Sequence, residues 1–165
     1  MNSPAVYFET QSFLRHWWAL LMVPIVLAAV PLALQLGGQW PISQPITWVG
    51  LATALFIAFL LLTLRLEIRL DETGVHYRLA PLHRSWRHKA WAEISRVQVR
   101  SYDPLGEYGG WGLKGTSRNR ALNIAGSEGL QLELRDGTRL LLGTQRPAEL
   151  RQALATLNIT PAPTA

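Results

Sequence analysis

Two long apolar runs occupy most of the first 64 residues, one at 17–36 and the other at 46–64. Neither run contains a charged side chain. At 1.5 Å of rise per residue, about twenty helical residues cross the roughly 30 Å hydrocarbon core of a bilayer. Residues 37–45 between the runs contain Gly and Pro, which end helices. The pattern predicts a transmembrane helical hairpin within residues 15–64, after an N-terminal cytoplasmic segment at 1–14.

The charges beside the apolar runs predict the orientation of this hairpin. Arg15 precedes the first run, Arg65 and Arg69 follow the second, and the connecting loop has no cation. Because Lys and Arg concentrate on the cytoplasmic side of membrane helices, we expect both termini to be cytoplasmic. Tryptophans near the ends of the runs are typical of membrane interfaces; they are Trp17, Trp18, Trp40 and Trp48.

Small residues recur at every fourth position in both runs. They are Ala29 and Ala33 in the first run, with Gly37 directly after it, and Gly50, Ala54 and Ala58 in the second. Such stripes allow two helix backbones to approach closely. They predict packing within the hairpin or formation of a homodimer, and both alternatives stay open. No ionisable side chain lies inside either run, so the sequence does not favour ion or proton conduction.

After Leu64 the pattern changes to alternating apolar and polar side chains, which is typical of strands with one buried face. Seven strands are predicted, within residues 66–70, 75–79, 86–91, 96–102, 121–125, 130–134 and 138–142. Residues 72–74 form a turn between the first two strands, and Asp136-Gly137 predicts a type I′ turn between the last two.

A different period follows the last strand. Pro147 suits the first position of a helix, and Leu150, Leu154 and Leu157 recur at spacings of four and three residues. These features predict one C-terminal amphipathic helix, followed by a disordered tail at 159–165. The predicted strands and helix make a domain at 65–158, which is large enough for one small hydrophobic core.

Several short segments of this domain resemble those of a known family. The segments are residues 66–75, 91–94, 136–137, 142–144 and 147–150. With the two apolar runs before them, they resemble the bacterial PH-domain (bPH-like) integral membrane proteins. Residues Gly109, Gly110, Trp111 and Gly112 are similar to a Gly-Gly-Trp-Gly loop in a subset of that family.

The resemblance implies the fold class and the location of the protein. The fold would be that of an α+β membrane protein, in which an N-terminal transmembrane helical hairpin precedes a pleckstrin-homology-like antiparallel β-barrel. One C-terminal α-helix would cap the barrel. The location would be the bacterial cytoplasmic (inner) membrane, with a multi-pass topology.

Composition limits the chemistry of the chain. Charged residues make up 16% of it, below the roughly 25% of soluble domains. The absence of Cys excludes disulfides, thiolate zinc sites and cysteine nucleophiles. The formal net charge is +5, and every Lys and Arg except Arg15 follows Leu64. Nucleic-acid binding is not expected, because the positive charge is modest and the domain is tethered to a membrane.

Residues 78–100 are the strongest candidate for a binding function. They contain six cations and one acid, Glu93; the cations are Arg78, Arg84, Arg87, Lys89, Arg96 and Arg100. Each cation close to an anionic membrane surface gains about 1 kcal/mol. We therefore expect contacts with anionic lipid headgroups, while a solvated basic face is an equally good interpretation.

The glycine-rich loop is a second candidate surface, for an anion or for a protein partner. It comprises Gly109, Gly110, Trp111, Gly112, Lys114, Arg118 and Arg120. Residues 110–115 match G-x-G-x-x-G, but no strand-helix-strand unit surrounds them, so we reject a dinucleotide site. Successive glycine amides can cradle an anion. The more favoured alternative is an ordinary loop with Trp111 folded onto the barrel.

No catalytic, cofactor or metal site is predicted. His83 and His88 are better interpreted as surface histidines than as ligands, since zinc needs three or four convergent ligands. The sequence therefore predicts a non-catalytic interaction or scaffold module in the membrane, which engages anionic lipid or a protein partner. The alternative is an accessory subunit of a larger membrane complex for transport or envelope assembly.

Overall fold

The computed structural model describes residues 5–38 and 45–159, which form two compact units. One unit is Phe13–Leu64, and the other combines the chain up to Ser12 with the chain from Arg65 onwards. The division after Leu64 agrees with the sequence pattern. The predicted start of the globular domain at residue 65 is wrong, because the strand Tyr7–Ser12 of the N-terminal segment belongs to that domain.

The apolar unit is helical. Its helices are α1 (Phe13–Trp17), α2 (Met22–Leu36) and α3 (Pro45–Thr63), with a short 3₁₀ helix at Trp18–Leu21. In the part of the chain that the structure describes, Phe13–Leu36 is the one helical stretch long and apolar enough to cross a membrane. Thr47–Thr63 is a shorter apolar helix, so a pair of full-length spans is not shown. Trp40 lies outside the described residues.

The two stripes of small residues differ in their surroundings. On α3, Ala54 is buried, and a Cβ added at Gly50 would lie 4.0 Å from the Leu27 carbonyl oxygen. On α2, Ala29 and Ala33 are exposed. The α3 stripe thus packs within the unit, as expected for one of the two alternatives, whereas the α2 stripe does not.

The globular unit contains a four-stranded antiparallel sheet. Its order is β1 (Tyr7–Ser12), β2 (Arg65–Asp71), β3 (Gly74–Ala80) and β4 (Arg87–Ala90). Strand β1 pairs with β2 from Tyr7 opposite Leu70 to Ser12 opposite Arg65. The buried face of β1 carries Tyr7, Glu9 and Gln11. Because this face is mostly polar, hydrophobic alternation did not predict the strand.

A five-stranded sheet completes the unit. Its strands are β5 (Ile94–Ser101), β6 (Gly112–Gly115), β7 (Asn119–Asn123), β8 (Glu128–Leu134) and β9 (Arg139–Gly143). Their order is β5-β8-β9-β7-β6, and β7 and β9 are parallel. The described strands therefore form two sheets rather than one closed antiparallel barrel. All seven predicted strands are confirmed to within two residues at their ends, and β1 and β6 are additional.

Three short helices accompany the sheets: a 3₁₀ helix at Trp91–Glu93, α4 (Pro104–Tyr108) and α5 (Pro147–Thr156). Helix α5 buries Leu150, Ala153 and Leu154, which confirms the predicted amphipathic helix. The core also contains large apolar side chains from both sheets; they are Leu66, Ile68, Leu70, Leu79, Leu122, Leu130, Leu132, Leu141 and Leu142. The predicted disordered tail lies outside the described residues from 160 onwards.

The hairpin between β8 and β9 lies where it was predicted but has a different turn. Gly137 has φ of +80°, its N–H donates to the Leu134 carbonyl at 3.0 Å, and Leu134 N–H donates to Thr138. Asp136 does not have the positive φ that a type I′ turn requires at its first central residue. The turn is instead the three-residue type, with Gly137 in the left-handed region.

Candidate functional site

The six cations at 78–100 do not form one surface. Arg78, Arg87 and Lys89 belong to the first sheet, on β3 and β4, whereas Arg96 and Arg100 lie on β5 of the second sheet. Residues 81–86 connect β3 to β4, and Arg84 lies exposed in that connection. A binding face made of all six residues is therefore not what the fold provides.

Ion pairs further reduce the free charge of this segment. Arg78 binds Glu67, with Nε 2.7 Å from Oε2, and Arg100 binds Glu107 at 2.7 Å. The Glu107 hydrogen bond raises the pKa of Arg100 and, in turn, lowers the pKa of Glu107. Lys89 lies 3.3 Å from Glu93. The sequence count of one acid was misleading, because Glu67 and Glu107 lie outside the segment.

A basic cleft collects cations that are distant in sequence. This cleft, of about 270 Å³, is lined by Tyr77, Arg87, Lys89, Ser117, Arg120, Leu134, Asp136, Thr138, Arg139 and Leu140. Arg87 and Lys89 come from β4 in the first sheet, and Arg120 and Arg139 come from β7 and β9 in the second. Within this lining, four cations face one acid, Asp136.

Strand register places these cations. On β4, Arg87 lies opposite Tyr77 of β3. On the parallel strands β7 and β9, Asn119 lies beside Arg139 and Arg120 lies beside Leu140. The backbone N–H of Arg139 also donates to the Arg118 carbonyl at 2.7 Å. Arg120 and Arg139 are therefore held on neighbouring strands of one rigid sheet.

Asp136 is already occupied by its own turn. Its Oδ1 accepts hydrogen bonds from Thr138 N at 2.8 Å and from Thr138 Oγ1 at 2.6 Å. These two hydrogen bonds lower the pKa of Asp136. Arg139 makes a longer contact with Glu133, at 3.6 Å, and stays largely exposed. The cleft thus retains an excess of positive charge, with the hydroxyls of Ser117 and Thr138 beside it.

His83 is buried near two of the arginines that line the cleft. It is buried rather than on the surface, contrary to the sequence interpretation, and its Nδ1 accepts the Leu79 backbone N–H at 3.3 Å. Burial lowers the pKa of His83, and the charges of Arg87 and Arg120 lower this pKa further. Arg87 of the first sheet and Arg120 of the second sheet therefore both disfavour protonation of the His83 ring.

His88 is exposed and stacks on His76, with ring centroids 4.3 Å apart. It does not join His83 in a ligand set. Across residues 5–38 and 45–159, no group of three or more His, Cys, Asp or Glu side chains is arranged to hold a metal ion.

The glycine-rich loop uses its amides internally. Gly109 N–H donates to the Leu105 carbonyl at 2.9 Å, and Gly110 N–H donates to the Pro104 carbonyl at 2.8 Å. Gly112 N–H donates to Asn123 Oδ1 at 2.9 Å. Because these donors already have protein acceptors, they are not available to cradle an anion, and the loop fits the favoured alternative of an ordinary connection.

Trp111 folds onto the domain, as expected for an ordinary loop. Its indole N–H donates to the Gly126 carbonyl at 3.1 Å. Of the three predicted cations in the loop, Lys114 and Arg118 are absent from the cleft lining, and Arg120 contributes to it. The loop therefore adds one side chain to the basic cleft rather than forming a site of its own.

Sequence reasoning missed Arg139, Ser117 and Thr138 as members of this cleft. Strand β9 buries three consecutive leucines after the exposed Arg139, and its sequence gives no sign of β4 as a neighbour. No protein-family model and no curated protein sequence matches the chain. The function is therefore inferred from the geometry and charge of the basic cleft.

Proposed function

We propose that this protein is a non-catalytic interaction module, anchored in a bacterial cytoplasmic membrane, that binds anionic lipid headgroups through the basic cleft. The single observation that carries the proposal is the convergence of Arg87, Lys89, Arg120 and Arg139 on one cleft. Lys89 also contacts Glu93 and Arg139 contacts Glu133, and the four cations still outnumber these two acids and Asp136. Arginine offers phosphate a fork of two parallel donors, and lysine adds a point charge. A phosphate-bearing headgroup matches both.

The fold supports this proposal. The seven predicted strands and the C-terminal helix α5 are present, in two sheets. The apolar helices supply the anchor, with Phe13–Leu36 as one candidate span and α3 as the second pass of the proposed hairpin. The flanking cations Arg15, Arg65 and Arg69 favour cytoplasmic termini.

Anionic lipid binding can be tested on the full chain in neutral-detergent micelles doped with phosphatidylglycerol or phosphatidylcholine. We expect native mass spectrometry to show preferential retention of phosphatidylglycerol. Replacing Arg87, Lys89 and Arg120 with Gln should weaken that preference about 100-fold at low salt, since each cation contributes about 1 kcal/mol. The preference should also fall as salt screens the charges.

The matched control removes the same charge elsewhere. Arg96, Arg135 and Arg151 are exposed and lie outside the cleft, so their replacement with Gln should leave most of the preference intact. If both triple variants lose the preference equally, the cations act as a general basic face and the cleft proposal is wrong. A parent protein without any preference for phosphatidylglycerol would also contradict it.

Membrane topology gives a separate prediction. An alkaline phosphatase fusion after Ala165 should be inactive and a green fluorescent protein fusion at the same position should be fluorescent, because the cations flanking the apolar runs favour the cytoplasm. The same pair of reporters at the N-terminus should behave alike. Active phosphatase at both ends would show the opposite orientation. Active phosphatase at one end only would show that the termini lie on opposite sides of the membrane, which contradicts two passes.

A second candidate function is that of an accessory subunit in a larger membrane complex, for transport or envelope assembly. It is favoured by the exposure of Ala29 and Ala33 on α2, because a stripe of small residues that is exposed among residues 5–38 and 45–159 suits another helix. Extraction in mild detergent would then yield a stoichiometric assembly with a different chain. A second copy of this protein would instead give a homodimer.

A further inference from the structure

The connection between β3 and β4, residues 81–86, exposes large apolar side chains among cations. Leu82 is 53% exposed and Trp86 is 39% exposed. Arg84 lies between them and is exposed, and Arg87 follows directly on β4. Exposed apolar residues that alternate with cations are typical of segments that enter the interfacial region of an anionic membrane.

Hydrogen bonds between the buried His83 and Leu79 hold the conformation of this connection. The His83 backbone N–H donates to the Leu79 carbonyl at 2.8 Å, and its buried ring accepts the Leu79 N–H. The guanidinium of Arg78 lies 5.1 Å from the centroid of the Trp86 ring while it pairs with Glu67. These contacts hold the turn in one conformation, in which Leu82 and Trp86 are exposed.

Strand register locates the turn within the globular unit. Ser12 lies opposite Arg65, and Arg65 lies opposite Ala80. The chain leaves the unit after Ser12 towards the apolar helices and returns from them at Arg65. Since residues 81–86 begin directly after Ala80, the turn starts at the same end of the sheet as both connections to those helices.

We propose that residues 81–86 form a second membrane contact, in which Leu82 and Trp86 enter the bilayer interface and Arg84 and Arg87 meet anionic headgroups. This inference rests on the proposed membrane anchoring and adds an insertion site to it. The occupant is a lipid surface rather than a protein, because the apolar pair is small, is flanked by cations and lies at the end of the sheet joined to the apolar helices. The insertion would also bring Arg87, which lines the basic cleft, to the headgroups.

The absence of Cys from the chain makes a direct test available. Single variants Leu82→Cys and Ser85→Cys of the full chain are spin-labelled in vesicles of phosphatidylcholine and phosphatidylglycerol. The accessibility of each label to oxygen and to a water-soluble nickel chelate is then measured. Ser85 is exposed and its replacement leaves both Leu82 and Trp86 in place. Gln152→Cys is the control, since it lies beside Tyr7 at the other end of β1.

We expect labels at 82 and 85 to be protected from the chelate and accessible to oxygen, whereas the label at 152 stays accessible to the chelate. Chelate access at 82 and 85 equal to that at 152, in protein that resists carbonate extraction, overturns the insertion and leaves the anchoring intact. Release of the whole chain by carbonate would instead overturn the anchoring on which the insertion depends. The two failures are therefore distinguishable.

Discussion

A fragment that begins at Arg65 is expected not to fold to the native domain, although the sequence pattern predicted a complete domain at 65–158. Joining residues 5–13 to residues 64–159 through an Asn-Gly turn is expected to restore the fold without the apolar helices. Strand β1 pairs with β2 along six residues and supplies Tyr7, Glu9 and Gln11 to the buried interior.

The geometry at the junction makes the short connection suitable. Phe13 N–H donates to the Leu64 carbonyl at 3.0 Å, which extends the ladder of β1 and β2 by one hydrogen-bonded position. A two-residue Asn-Gly loop matches the twist of such a hairpin. The joined variant therefore keeps every strand of both sheets while it replaces residues 14–63.

The measurement is thermal unfolding followed by near-ultraviolet circular dichroism. The joined variant should show one cooperative transition, whereas the fragment should show none or should aggregate through the exposed edge of β2. If the fragment shows the same cooperative transition as the joined variant, the globular unit folds without β1. Failure of the joined variant alone would show that the globular unit needs its apolar helices.

The first strand shows why part of the fold escaped sequence analysis. Strands β2, β3 and β8 alternate apolar and polar residues, so their period was readable. The inward side chains of β1 are Tyr7, Glu9 and Gln11, and these bury polar atoms that are satisfied by residues far along the chain. Hydrophobic alternation predicts that such a segment is exposed. The distant hydrogen-bond partners that make its burial favourable leave no trace in the local sequence.

The other missed elements have local reasons. Strand β6 contains Leu113 between glycines and buries none of its residues, so it has no hydrophobic period. Helix α4 spans five residues, too few for a period, yet it has a start signal. Asp103 caps Leu105 N–H, Pro104 follows it, and Glu107 accepts the Asp103 N–H. Asp103 as N-cap followed by Pro104 at the first helical position was readable in the sequence as a helix start.

The basic cleft shows a different limit. The sequence identified Arg87, Lys89 and Arg120 as candidate cations, but in two separate segments with separate hypotheses. The cleft exists because β4 of one sheet and β7 and β9 of the other meet around Tyr77 and Leu140. Such a juxtaposition depends on strand order, and the parallel pair β7 and β9 is a long-range contact without any local signature.

Glu9 is the residue whose removal should most destabilise the globular unit among single polar changes. Its carboxylate is 3% exposed and accepts three hydrogen bonds. The donors are Tyr7 OH at 2.5 Å, Thr144 Oγ1 at 2.7 Å and Gln145 N at 2.9 Å. Thr144 and Gln145 connect β9 to α5, so this carboxylate joins the first strand to the last part of the domain.

Burial of the Tyr7 hydroxyl beside Glu9 raises the pKa of Tyr7, so this phenol stays protonated and donates throughout the neutral range. Glu9→Ala would leave buried donors without an acceptor, at a cost of about 1–3 kcal/mol for each group that finds no substitute. We expect a loss of about 2–4 kcal/mol in the free energy of unfolding, since Tyr7 and Thr144 lie 3.2 Å apart and can bond to each other.

Two variants show whether the hydrogen bonds of Glu9 cause that loss. Glu9→Gln keeps an acceptor for Gln145 N–H and should lose less than Glu9→Ala. Glu72→Ala makes the same truncation at an exposed turn residue and should change the free energy by less than about 0.5 kcal/mol. Chemical denaturation of the joined variant, once it is shown to fold, gives all three values. Equal, small losses for Glu9→Ala and Glu72→Ala would mean that the buried carboxylate does not hold β1 against the β9 and α5 junction.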